Sequence, residues 1–227
     1  LSKKIAEGST HVLIDMPVGP TAKVRSEAAA HSLGARLAHT AGALGLQLGI
    51  HRSDGTQPVG RGIGPALEAH DVLKVLRNAA DARADLRERA LALSAALLDM
   101  APGSSAGTGL ERARDVLDSG AALAKFLAIC EAQGGFREPP RAAFTADVRA
   151  AASGRITAID NRRLAKLAKL AGAPTSPTAG LETSLRVGDT VERGQPLLTL
   201  HAESPGELAY ALEHAPALQP FVLAETP

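Results

Sequence analysis

Apolar residues first gather at His11–Met16 (HVLIDM), a run with β-branched members bounded by Gly8 and Pro17. Such a short run, closed by turn formers, predicts a buried strand. Pro17, Gly19 and Pro20 then enforce a loop. Ser26 is placed to cap a helix on which Leu33, Leu37, Ala41 and Leu44 share one face, and Gly45 ends it. Leu46–His51 (LQLGIH) is a second strand candidate. Strand, loop, helix, strand is the βαβ order, which predicts two neighbouring parallel strands in one sheet.

Gln57–Pro65 is a Gly/Pro-rich loop, and Pro65 suits the first turn of the helix that follows. Leu67, Val72, Leu73 and Leu76 supply that helix with a buried side, and Leu86, Ala90, Leu93 and Leu97 repeat at helical spacing in the next. Asp99–Ser105 breaks the pattern. Leu110, Leu117, Ala121, Ala124 and Ala128 then predict one long helix ending at Gly134–Gly135.

Composition changes at Arg137–Pro140, a plausible junction between residues 1–138 and 139–227. Beyond it, Val148–Ile159 and Leu181–Leu200 read as strands; Leu181, Thr183, Leu185 and Val187 alternate with polar neighbours at a period of two. Asp160 is placed to cap a short helix carrying Leu164, Leu167 and Leu170, closed by Gly172. Ser204-Pro-Gly-Glu207 combines a capping box with proline at the first helical position, and predicts a helix through Leu208 and Leu212. The pattern as a whole is α/β: a mixed or parallel sheet with flanking helices, then a small α+β C-terminal domain.

Bulk composition narrows the function classes. Hydrophobic residues are 45% of the 227 and aromatics only 2%, so Ala, Leu and Val build the core. The formal charge of +1 gives no overall drive toward nucleic acid or an anionic membrane, and there is no Trp to stack on bases. Cys130 is the single cysteine, which excludes an internal disulfide and fits a reducing cytosol. No apolar run reaches the roughly 20 residues of a membrane helix, and the first residues lack a signal-peptide pattern. The opening Leu1–Gly8 reads as the last turns of a helix, so further chain upstream is expected.

Most candidate motifs have an ordinary structural explanation. Gly60-Arg-Gly-Ile-Gly64 is neither a dinucleotide fingerprint nor a phosphate loop with a Lys-Ser/Thr ending, and reads as a tight turn into a helix. The seven histidines show no metal-binding spacing, so no metal is expected. Asp81/Asp85 and Glu88/Asp99 sit among arginines and read as solvated helix faces carrying i,i+4 ion pairs. Val187–Leu197 resembles the hairpin of biotinyl and lipoyl carrier domains, with Lys166 and Lys169 as the lysines a carrier would modify; both read as a solvated helix face rather than an attachment site.

The most specific block is Ser2–Ser26, SKKIAEGSTHVLIDMPVGPTAKVRS: a helix end, a strand, and a rigid loop holding Lys23. Loops at the carboxyl ends of sheet strands are where α/β proteins place ligands. This block resembles the thymidine phosphorylase (pyrimidine nucleoside phosphorylase) family, especially the branch that includes archaeal AMP phosphorylases. So do GRGIGPALEAHDVLKVL (Gly60–Leu76) and, between Gly154 and Ala202, GRITAID, LAKLAGAP and AGLETSLRVGDTVERGQPLLTLHA.

The resemblance implies a fold, a reaction and roles. Residues 1–138 would be the latter part of the phosphorylase α/β domain, and residues 139–227 its C-terminal domain, of a barrel-sandwich/hammerhead-like type. Lys3 matches the lysine that contacts the pyrimidine carbonyl. Lys23 matches the lysine that helps AMP phosphorylases hold a nucleotide. Gly19, Thr21, Gly62 and Gly64 are candidate cleft-lining positions. The implied reaction is phosphorolysis of thymidine to thymine and 2-deoxyribose 1-phosphate, with AMP or another nucleoside monophosphate as the alternative substrate. Inorganic phosphate is the co-substrate and no cofactor is required. The full-length protein is expected to be a cytoplasmic homodimer. The family's phosphate loop precedes Leu1, so this stretch alone is expected to lack activity. A carrier or interaction module is the alternative of another class.

Overall fold

The computed structural model describes residues 1–105 and 107–224. In chain order, the first elements are α1 (Ser2–Ala6), β1 (His11–Val18), α2 (Glu27–Ala43), β2 (Gln47–Asp54), β3 (Gly62–Ile63), α3 (Pro65–Leu76), α4 (Ala84–Met100), α5 (Gly109–Asp118) and α6 (Ala121–Ala132). Then follow β4 (Phe144–Arg149), β5 (Gly154–Ile159), α7 (Asn161–Leu170), β6 (Gly180–Glu182), β7 (Thr190–Val191), β8 (Pro196–Ala202), α8 (Pro205–Leu218) and β9 (Phe221–Ala224). Two compact units emerge. The first joins Leu1–Gly55 to Arg87–Phe126; the second joins Thr56–Leu86 to the chain from Leu127 onward.

The first unit is built on the expected βαβ order. β1 and β2 pair in parallel, from His11 opposite Gln47 to Val18 opposite Asp54. Ser26 caps α2 by accepting from the Ala29 amide at 3.2 Å. Val12, Ala41 and Leu46 form a small core between this helix and the strands. The buried face of α2 differs from the predicted one. Ala30, Gly34 and Ala41 are buried, whereas Leu33 and Leu44 are 37% and 51% exposed. Close approach selects small residues here: a Cβ on Gly34 would stand 3.3 Å from Ile50 Cδ1. On the opposite face, Met100 of α4 and Leu13 fill the space beside Gly49, where an added Cβ would lie 2.6 Å from Met100 Sδ. Leu91 and Ala95 are the buried residues of α4, and the predicted Ala90 and Leu97 are exposed. The single long helix predicted after Leu110 is two helices, α5 and α6, because Gly120 takes a left-handed φ of +79° between them.

In the second unit, two antiparallel sheets enclose one core. The first has the order β3-β6-β8-β4 and the second β7-β5-β9. Ile156, Leu164, Leu167, Leu181, Val191 and Leu200 are fully buried between them and the helices α7 and α8. Asp160 caps α7 through the amides of Arg162 and Arg163, at 2.9 and 3.1 Å. Ser204 accepts from the Glu207 amide at 3.2 Å and caps α8, with Pro205 at its start. The edge strand β3 comes from residues far upstream, with Gly62 opposite Glu182.

Several local expectations change. The strand predicted from Val148 to Ile159 is interrupted at residues 150–153, between β4 and β5. The alternation from Leu181 to Val187 does not extend a strand beyond Glu182. Instead, Thr183 Oγ1 donates to the Leu197 carbonyl at 2.8 Å and accepts from the Leu185 amide at 3.2 Å, so a side chain replaces ladder hydrogen bonds. Val187–Leu197 is not a hairpin: β7 pairs with β5 while β8 pairs with β4 and β6, and a turn at Glu192–Gln195 carries the chain from one sheet to the other. On α3, Val72 is 42% exposed, and Asp71 takes a buried place on the inner face.

Candidate functional site

The carboxyl ends of β1 and β2 lead into two short turns. After Val18, the chain folds back at once: the Ala22 amide donates to the Gly19 carbonyl at 3.0 Å, and the Gly19 amide donates to the Val24 carbonyl at 3.1 Å. Val18 and Val24 also form an isolated bridge. The loop of residues 19–24 is therefore closed by its own backbone. It seats on Gly55, whose added Cβ would be 3.0 Å from Ala22 Cβ and 3.1 Å from the carbonyl carbons of Pro17 and Val18. Gly19 is buried within the loop, Thr21 is half-buried, and Lys23 stands exposed on its outer side.

Lys3 lies on α1, before β1, and is also exposed. Of the seven lysines, Lys4 pairs with Glu7 at 2.7 Å and Lys74 with Asp81 at 2.6 Å, while Lys125, Lys166 and Lys169 are exposed without an ion pair among the described residues. Lys3 and Lys23 have no such ion pair among the described residues. An apolar groove of about 580 Å³ runs between α1 and α2, lined by Leu1, Ile5, Leu37 and Leu44, and neither lysine lines it.

Beneath the loop is a polar cluster that the sequence reading did not find. Arg89 on α4 stands 3.3 Å from Asp15 Oδ2 on β1 and donates to Ser53 Oγ on β2 at 2.9 Å. Ser53 Oγ donates to Asp15 Oδ1 at 2.5 Å. Arg89 also donates to the Asp54 carbonyl at 2.9 Å. The available signal was Asp15 itself, a carboxylate inside an otherwise apolar strand, since a charge there needs a partner.

Gly62 and Gly64 belong to the second unit, and packing accounts for both. Added Cβ atoms would meet the Leu67 backbone at 2.6 Å and the Ala179 carbonyl at 2.3 Å, respectively. Asp71 Oδ2 accepts from the amides of Arg61 and Gly62 at 2.6 and 2.8 Å, which holds the loop as a turn into α3. The carboxylates read as i,i+4 surface pairs have other partners. Asp85 pairs with Arg186 and Arg83, Asp81 with Lys74, and Asp99 accepts from the Gly109 amide at 2.8 Å.

Residues 155–220 match the family model described as the pyrimidine nucleoside phosphorylase C-terminal domain. Over 97% of its length the chain is 61% identical to a protein of Acidovorax sp. (strain JS42) named "Putative thymidine phosphorylase 2". Along nearly its whole length the chain resembles the pyrimidine nucleoside phosphorylase family. Identity is 60% over 95% of the chain to a Polaromonas relative and 55% over 94% to one from Hahella chejuensis, both named "Putative thymidine phosphorylase". The chain spans 42–43% of the length of these curated relatives. The matched C-terminal domain of pyrimidine nucleoside phosphorylase type lies within the second unit, whereas Lys3 and Lys23 lie in the first.

Proposed function

We propose that the protein containing this chain is a thymidine phosphorylase, a pentosyltransferase that converts thymidine and phosphate to thymine and 2-deoxyribose 1-phosphate. The observation that carries this reading is the 61% identity, over nearly the whole chain, to the relative named "Putative thymidine phosphorylase 2". Phosphate oxygen bonds to the anomeric carbon as the C–N glycosidic bond breaks, and the bonding pair leaves with the base. Negative charge then builds on the pyrimidine carbonyls. Lys3 would stabilise that charge, as a fixed ammonium does best where charge develops during the reaction. The reaction needs inorganic phosphate and no further cofactor. The protein would act in the cytoplasm as a homodimer.

A second reading, phosphorolysis of AMP or another nucleoside monophosphate, is favoured by Lys23. An exposed ammonium with no ion pair among the described residues, on a loop closed by its own hydrogen bonds, suits a phosphate group. The carrier alternative is less well supported, since a carrier presents its lysine at a tight turn and Lys166 and Lys169 stand on the helix α7.

The test is phosphate-dependent release of base from thymidine, uridine and AMP by the full-length protein. Thymidine turnover, reduced about 10²–10³-fold in kcat by Lys3→Ala, is the expected result. Turnover of AMP alone, sensitive to Lys23→Ala, overturns the first reading in favour of the second.

A further inference from the structure

Arg89 reaches further than the cluster it anchors. Its Nη2 donates to the Asp54 carbonyl at 2.9 Å. That carbonyl shares a peptide group with the Gly55 amide, which donates to the Val18 carbonyl at 2.9 Å. The Val18 carbonyl shares a peptide group with the Gly19 amide, which donates to the Val24 carbonyl at 3.1 Å. Three hydrogen bonds linked through two peptide groups therefore run from a guanidinium on α4 to the residue after Lys23. Bonds in such a chain polarise one another, and a cation at the head strengthens each in turn.

The head of the relay is itself fixed. Arg89 and Asp15 have side chains only 18% and 28% exposed, and Ser53 bridges them. Arginine alone suits the position: its planar fork serves Ser53 and Asp15 with one nitrogen and Asp54 with the other, which a lysine ammonium on a flexible stem reproduces only in part.

We propose that Arg89 is a positioning residue for Lys23. It does not touch substrate. It holds the 19–24 loop in one place, so that the Lys23 ammonium meets a nucleoside or nucleotide at a fixed point. This role rests on the reading of Lys23 as a substrate-binding group.

The experiment uses the full-length protein with Arg89→Met, Arg89→Lys, Lys23→Ala and the Arg89→Met/Lys23→Ala double variant. Amide hydrogen exchange is followed across residues 17–25 and 53–57, with KM and kcat for the nucleoside or nucleotide turned over. Arg89→Met is expected to speed exchange at Gly19 and Gly55, leave the centre of β1 protected, and raise KM by roughly tenfold, the scale of coupling between residues that act together. Arg89→Lys should recover part of that loss. The double variant should be no worse than Lys23→Ala, because the arginine acts through the lysine. KM for phosphate should stay unchanged, which a general loss of structure would not allow.

Additive effects in the double variant, or unchanged exchange at Gly19 and Gly55, overturn the proposal. If Arg89→Met fails to fold, Ser53→Ala, which removes one anchor of the guanidinium, is judged by the same exchange readout. Should Lys23→Ala leave every KM untouched while Arg89→Met still loosens the loop, the substrate role of Lys23 is refuted and the mechanical link from Arg89 to the loop stands.

Discussion

Arg186 grips Asp85 through Nη2 at 2.6 Å and Nε at 3.2 Å, both on the same carboxylate oxygen, across 101 positions of sequence. The same guanidinium donates to the Gly60 carbonyl at 2.6 Å. Asp85 in turn takes the Leu86 amide at 2.8 Å and faces Arg83 at 3.3 Å. This contact joins the early segment of the second unit to its C-terminal segment. It is a half-buried ion pair, in which each partner is also hydrogen-bonded, and such pairs matter more than exposed ones.

Burial pushes the Asp85 carboxyl toward a higher pKa, but hydrogen bonds from Arg186 and Arg83 together outweigh it, so its pKa lies below the ordinary value of 3.8. A carboxylate lowered in the folded state contributes stability that is fully present above its unfolded pKa and is lost as pH falls through its folded pKa. The urea midpoint of the second unit should therefore fall as pH is lowered from about 5 toward 3. Asp85→Asn should flatten that acid limb and cost about 1.5–3 kcal/mol at pH 7, the range for hydrogen bonds to charged groups. A midpoint that shows the same acid dependence in both proteins would remove Asp85 as its source.

Gly180 and Gly64 meet where β3 joins β6, and neither tolerates a side chain. Gly180 has a φ of +150°, and its added Cβ would lie 2.1 Å from the Ile63 carbonyl oxygen; Gly64 has a φ of +143° and faces the Ala179 carbonyl oxygen at 2.3 Å. Gly180→Ala should destabilise the second unit by roughly 2–4 kcal/mol, because backbone strain and a backbone clash add. Gly194 is the control: its φ is +84°, and nothing lies within 4 Å of an added Cβ. Gly194→Ala should cost only about 1 kcal/mol, from left-handed strain alone. Thermal melts of the two variants decide the matter, and equal losses would count against the packing argument.

Leu167 and Lys166 are adjacent on α7 and face opposite environments. Leu167 is 0% exposed, in the core between the two sheets, whereas Lys166 is exposed. Leu167→Ala should cost about 2–5 kcal/mol from lost burial and the cavity left behind. Lys166→Ala should stay within about 0.5 kcal/mol. Intact mass of the purified protein should match the unmodified chain; a biotin or lipoyl adduct on Lys166 or Lys169 would instead support the carrier reading.

Elements governed by neighbouring residues were legible in the sequence. Ser26, Asp160 and Ser204 announce helix starts because a short polar side chain can reach an amide only two or three positions ahead. The βαβ order was legible for the same kind of reason: apolar runs, a capped helix and turn glycines lie in a fixed local sequence. The buried face of α2 was not, because hydrophobicity favours its leucines while the close approach of Ile50 admits only glycine and alanine. In the candidate site, the residue types of Lys3, Lys23 and Asp15 were visible, but the partner of Asp15 was not, since Arg89 lies 74 positions away.

The amino-acid sequence by itself settled the capped helices, the first βαβ order and the family resemblance, because these depend on residue type and short spacing along the chain; it did not show the strands β3 and β9 or the break between α5 and α6. Folding in three dimensions decided which faces are buried, which sheet each strand joins, and which charges meet. Those outcomes depend on distances through space, as when Gly62 comes to pair with Glu182 and Arg89 comes to hold the turn beneath Lys23. No local pattern encodes them, because each partner looks ordinary until the other is placed beside it.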